Sequence, residues 1–193
     1  MVMPAAARRA WTRTEVVALI DANPLCTPRY ELVDGELLVT PSPSGIHQRA
    51  VREIMRALAS YLEACGAGEV LASPSDVELE PGTLVQPDLY VIPPSEGMRL
   101  LANLPPRTLL LAIEVMSPSS GKYDGGSKRA HYHRTVPEYW IIDLDGRSVE
   151  RWRHRAGRAD ILRERVEWRP PGVSETFVLE LGPLFAKVLG EVP

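Results

Sequence analysis

The run Leu109–Met116, LLLAIEVM, constrains this chain more than any other stretch. Continuous aliphatic side chains of this length read as a buried strand. Yet Glu114 stands inside the run, just ahead of Ser117-Pro118, a turn signal. A carboxylate taken out of water in such a strand is strongly disfavoured unless a partner compensates its charge. The fold must therefore bring something to Glu114.

The elements around this strand follow from periodicity and turn chemistry. Thr12 and Glu15 have capping-box spacing and open a short helix through Val16, Leu19 and Ile20 that stops at Asn23-Pro24. In YELVDGELLVT, Asp34-Gly35 lies between two strand-like runs and predicts a hairpin. Apolar side chains at 46, 50, 51, 54, 55, 58, 61 and 62 predict a helix over Ile46–Leu62, with Ser44 as its N-cap and Gly66 to Gly68 as its end. Three extended segments, Val70–Leu79, Leu84–Ile92 and Leu109–Met116, come next, with a loop containing one helical turn before the last.

Gly126–Arg134 is polar and helix-compatible and closes at Val136-Pro137. Strands Glu138–Asp143 and Ser148–Trp152 meet at Asp145-Gly146, a second hairpin signal. A strand pair around Ala159–Trp168 and a short helix after Pro183 complete the reading. This order gives an α/β (α+β) class, a mixed central sheet flanked by helices. At 193 residues the chain is expected to form one domain, with its core over residues 28–155.

No apolar run approaches the length of a bilayer span, and the start MVMPAAARRAWT has no apolar stretch behind its arginines, so a cytoplasmic protein without membrane contact is expected. Cys26 and Cys65 lie far apart, outside any metal-type spacing, and read as reduced core fillers. The formal net charge of −3 excludes a protein that coats nucleic acid nonspecifically but leaves room for a local groove. The arginines at 151, 153, 155, 158, 163, 165 and 169 are diluted by Asp160, Glu164 and Glu167 and read as a solvated strand face.

Chemistry concentrates elsewhere. In VQPDLYVI, strand alternation puts Gln86, Asp88 and Tyr90 on one face. Neighbouring strands that each carry one acid can bring Asp88 and Glu114 together on a divalent cation, and such hard oxygen ligands suit Mg2+ or Mn2+. A metal held this way activates water and stabilises the charge developed in phosphodiester cleavage. A cation nearby would assist. The chain has three lysines, and two of them, Lys122 and Lys128, follow Glu114 closely; Lys128 sits near a helix start, whereas Lys122 lies in a glycine-flanked loop.

Pro87-Asp88, Glu114-Val115-Met116 before Ser117-Pro118-Ser119, then Asp124, Lys128, Tyr132 and Val136-Pro137-Glu138-Tyr139-Trp140-Ile141-Ile142-Asp143 resemble the Uma-type endonucleases of the PD-(D/E)XK, or restriction-endonuclease-like, superfamily. Tyr30-Glu31-Leu32-Val33-Asp34-Gly35-Glu36, Ser42-Pro43 and His47-Gln48 extend the resemblance over residues 12–155. It implies a nuclease acting on nucleic acid, DNA foremost, with Asp88, Glu114 and the Val115 carbonyl as Mg2+ ligands. His47 and Gln86 match accessory positions. The superfamily's lysine belongs two residues after the glutamate, where this chain has Met116. Lys128 matches the place from which family members supply it on the following helix. By analogy with restriction-like folds, a homodimer is also implied.

Other residues have plainer readings. His131 and His133 stand two apart on a helix, cannot share a metal and read as surface residues. Tyr132 falls one turn after Lys128 and packs on its stem. Trp140, Ile141 and Ile142 read as core; Asp143 and Asp145 read as a strand end and a turn. Two rivals to an endonuclease stand: a nuclease-fold module that binds DNA or a protein without cutting, and a metal-dependent hydrolase of a small phosphoester.

Overall fold

The computed structural model describes residues 9–116 and 126–191. Helix α1 (Arg13–Asp21) begins at the expected capping box, with Thr12 and Glu15 bonded reciprocally. Strands β1 (Arg29–Val33) and β2 (Glu36–Thr40) form the expected hairpin. Its two turn residues, Asp34 and Gly35, have φ of 51° and 76°, as this tight turn requires. Helix α2 (Gly45–Cys65) starts with the Ser44 hydroxyl accepting from the His47 amide and ends at Gly66 in the left-handed region.

The extended segments 70–79 and 84–92 are each broken in two. The first becomes β3 (Glu69–Ala72) and β4 (Val77–Glu80); the second becomes β5 (Thr83–Val85) and β6 (Leu89–Ile92). Pro74 and Pro87 interrupt them, because proline lacks the N–H that a continuing ladder needs. At both breaks the chain passes from one sheet to another: β3 and β6 pair with each other, and β4 pairs with β5. The breaks are tied together where Ser73 Oγ donates to the Pro87 carbonyl at 2.6 Å and the Ser73 amide to that of Asp88 at 3.2 Å.

A single 3-10 turn (Pro94–Glu96) and α3 (Gly97–Leu101) precede β7 (Leu111–Met116). Then follow α4 (Gly126–Thr135), β8 (Glu138–Asp143), β9 (Ser148–Arg153), β10 (Asp160–Leu162), β11 (Arg165–Trp168), β12 (Phe177–Glu180) and α5 (Leu181–Leu189). The main sheet has the order β10-β9-β8-β7-β6-β3, and its β7–β8 pair is parallel, bridged by α4. A four-stranded sheet has the order β2-β1-β5-β4, and β11 pairs with β12. The expected β10–β11 pair does not form: β10 pairs with β9 instead. The β8–β9 turn spans residues 144–147, with Arg147 rather than Gly146 in the left-handed region, because Asp143 Oδ1 binds the amides of Asp145 and Gly146.

Alternation along β7 separates two cores. Leu111, Ile113 and Val115 pack with α2, α5 and the β11–β12 pair. Ala112 faces the opposite core, with Tyr132 of α4, Val136 just after that helix, and Val33, Val77 and Val85 of the smaller sheet. Glu114 has the parity of Ala112, so it is turned towards α4 and the smaller sheet. Among the described residues no helix is long and apolar enough to cross a membrane.

Candidate functional site

The register of β6 and β7 brings the two expected acids together. Leu89 pairs with Ile113 and Tyr90 with Ala112 in antiparallel fashion, so one step further Asp88 falls opposite Glu114. Asp88 is not within a strand, as the alternation of 86–90 had implied. It is the residue at which the chain re-enters the main sheet after Pro87.

Asp88 is 4% exposed and bonded on both oxygens. Arg29 Nη1 donates to Oδ1 at 2.8 Å; the Val115 amide donates to Oδ2 at 2.8 Å, and His47 Nε2 lies 3.0 Å from Oδ2. Burial pushes this carboxyl up, but the bond and charge of His47, the charge of Arg29 and the Val115 amide outweigh it, so Asp88 lies below the ordinary carboxylate value. Val115 meets Asp88 through its amide, whereas its expected role lay with its carbonyl.

Glu114, also 4% exposed, has Lys128 as its partner. Lys128 stands in the first turn of α4, and its Nζ lies 2.6 Å from Glu114 Oε1. Tyr132, one turn later, donates to the same oxygen at 3.2 Å and stacks on Tyr139. Burial pushes Glu114 up to about 7; Lys128 opposes the rise, and the charges of Asp88 and Glu31 add to it. Burial lowers Lys128, but Glu114 and Glu31 more than offset this and hold its ammonium firmly protonated.

Two further members of the cluster come from β1. Glu31, 1% exposed, takes Lys128 Nζ at 2.8 Å and 3.1 Å on its two oxygens and accepts the Gln86 amide at 2.6 Å. Arg29, two residues earlier, reaches both Asp88 and the Gln86 carbonyl. Gln86 therefore frames the site through its backbone, while its side chain donates to Asp76 rather than reaching Asp88. The sequence signal for Glu31 was of the same kind as for Glu114: an acid within an apolar run, Tyr30-Glu31-Leu32-Val33.

Asp88, Glu114, Lys128 and His47 thus converge, with Gln86 at the margin. Lys122, Asp124 and Ser117-Pro118-Ser119 lie outside the described residues. His131 is not a surface residue: it is 4% exposed, with Nδ1 2.7 Å from Glu80 and Nε2 3.0 Å from Asp34.

Among the described residues no three His, Cys, Asp or Glu side chains form a cage for a metal ion. The donor set suits a hard cation bound by two carboxylates and completed by water or phosphate oxygens. Lys128 and Tyr132 both meet Glu114 at Oε1, and Asp88 Oδ1 accepts one bond from Arg29. Burial raises Glu114 most, and the charges of Asp88 and Glu31 add to the rise; that repulsion is what a bound cation would relieve.

Residues 21–182 match a family described as "Putative restriction endonuclease" (Uma2). No curated protein matches the chain. Among solved structures it is similar to "a putative nuclease belonging to DUF820" from Anabaena variabilis, at 20% identity and a TM-score of 0.67, over 83% of this chain and 92% of that one. At that identity the likeness is one of fold. With one acid at the entry to β6, a second on the neighbouring β7 and a lysine from the crossover helix, the chain belongs to the Uma2 family, described as "Putative restriction endonuclease", and has a restriction-endonuclease-like fold.

Proposed function

We propose that this protein is a Mg2+-dependent endonuclease that hydrolyses phosphodiester bonds in DNA. The observation that carries the reading is the placing of Asp88 opposite Glu114, with Lys128 2.6 Å from the glutamate. Asp88 and Glu114 would hold the metal, with the Val115 carbonyl as a further oxygen. Bound there, Mg2+ supplies a water of lowered pKa and stabilises charge on the phosphate.

The chain's own residues do the remaining work. Arg29, His47 and the Val115 amide keep Asp88 ionised and oriented. Lys128, held protonated between two acids, serves as a fixed positive charge for the developing phosphorane and not as the base that takes the proton of water. Its placement on α4 does the task for which the superfamily uses the residue where Met116 stands.

The test is a calorimetric titration of Mn2+, which binds oxygen sites more tightly than Mg2+, into wild type and into Asp88→Ala and Glu114→Ala variants shown by circular dichroism to be folded. Binding in the wild type that vanishes in both variants, with Mg2+-dependent cleavage of plasmid DNA lost in parallel, supports the reading. A folded wild type that binds no Mn2+ but retains DNA overturns it in favour of a non-cutting module. Cleavage of a model phosphodiester with none of DNA points to a small-phosphoester hydrolase.

A further inference from the structure

Among the described residues two acids hold Lys128, and one of them stands in the pair proposed to meet the metal. Its Nζ lies 2.6 Å from Glu114 Oε1 and within 3.1 Å of both oxygens of Glu31. Glu31 belongs to the smaller sheet, is 1% exposed and also accepts the Gln86 amide on Oε1. It reaches the lysine across the junction of the two sheets, opposite the strand that carries Glu114.

This arrangement answers a difficulty inherent in the site. A metal ion and an ammonium that depend on one carboxylate compete for it, because charge drawn to the cation is no longer available to the lysine. A buried ammonium without compensation is strongly disfavoured. With Glu114 alone, metal binding would drive Lys128 out, or Lys128 would keep the metal away. Glu31 offers the lysine a carboxylate that the metal pair does not use.

We infer that Glu31 is a positioning residue that keeps Lys128 in the site when a divalent cation takes up Glu114. The inference rests on the reading of Asp88 and Glu114 as a metal pair. It makes the cluster a three-acid device: two acids for the cation, and one that retains the lysine beside it.

The chain's three lysines make the ammonium groups resolvable by 1H–15N NMR, since a buried, hydrogen-bonded ammonium exchanges slowly with water; the Lys128 signal is identified by its absence in Lys128→Met. In the wild type this signal is expected both without metal and at saturating Mg2+. In Glu31→Gln it is expected without metal, where Glu114 still holds the lysine, and lost on adding Mg2+. Mn2+ affinity in that variant should fall about tenfold, the scale on which outer-sphere changes weaken metal sites, because Lys128 then competes with the cation for Glu114. A Lys128 signal that persists in Mg2+-saturated Glu31→Gln overturns the role of Glu31 and leaves the metal pair intact. Should Glu31→Gln fail to fold, Glu31→Asp, which keeps the charge but draws it back, carries the test: the signal should broaden with Mg2+, and a signal unchanged from wild type overturns the inference. A wild type that binds neither Mg2+ nor Mn2+ overturns the metal pair itself, and the role of Glu31 with it.

Discussion

Asp76 shows how closely charge is managed around the site. It is half-buried and accepts a bond from Gln86 Nε2 at 2.8 Å. Burial raises its carboxyl above the ordinary value, against the Gln86 bond and Arg13 and with help from Glu31 and Asp21. A raised carboxyl binds its proton more tightly in the folded than in the unfolded state, so stability is lost as pH rises from the ordinary value through the folded one. Asp76→Asn keeps an acceptor for Gln86 and removes that loss. Its melting temperature should exceed that of the wild type at pH 7, and the gain should vanish in acid below the ordinary aspartate range. A gain of equal size at both pH values would show that the charge of Asp76 is not what costs stability.

Helices α2 and α4 present two kinds of inward face. α2 has apolar residues at helical spacing and a Ser44 cap, and both were legible because each is a local pattern. Ser44→Ala should cost about 1 kcal/mol, seen as a lower urea midpoint with unchanged slope. Because the cap binds the His47 amide, His47 should also hold Asp88 less firmly. α4 was legible as a helix but not as to its face. Lys128, His131 and Tyr132 lie at i, i+3 and i+4 and are all buried, so its inward stripe is polar. By hydrophobic periodicity such a stripe reads as solvent-facing, yet His131 is buried. The carboxylates of Glu31, Glu114, Asp34 and Glu80 make that face an inner one.

Two cores on opposite faces of the main sheet hold the molecule together, and Trp140 is fully buried in the one that α2 and α5 cover. Its indole Nε1 donates to Glu138 at 2.7 Å, and its ring is stacked on Phe177 at 6.4 Å. Trp140→Ala should cost about 3–5 kcal/mol, a large share of the stability of an ordinary domain. Urea unfolding followed by far-ultraviolet circular dichroism measures this. A loss under 1 kcal/mol would mean that the two cores do not depend on the sheet between them.

The sequence by itself determined what short-range rules govern: the capping box of α1, the Asp34-Gly35 hairpin, the span of α2, the strand around Glu114 and the need of that acid for a partner. Spacing along the chain points to Asp88, Glu114 and Lys128 as neighbours, whereas His47 joins them only through the family resemblance. Only the tertiary structure decided that segments 70–79 and 84–92 each serve two sheets, that β10 pairs with β9, and that Arg29 and Glu31 join the cluster. Apart from the β9–β10 pair, these are contacts between residues far apart in the chain, Glu31 and Lys128 being 97 positions apart. Local propensity and periodicity act over a few residues and cannot encode such pairings. They arise when two sheets meet along the breaks at Pro74 and Pro87, where buried charges of opposite sign must find one another because no water is left to solvate them.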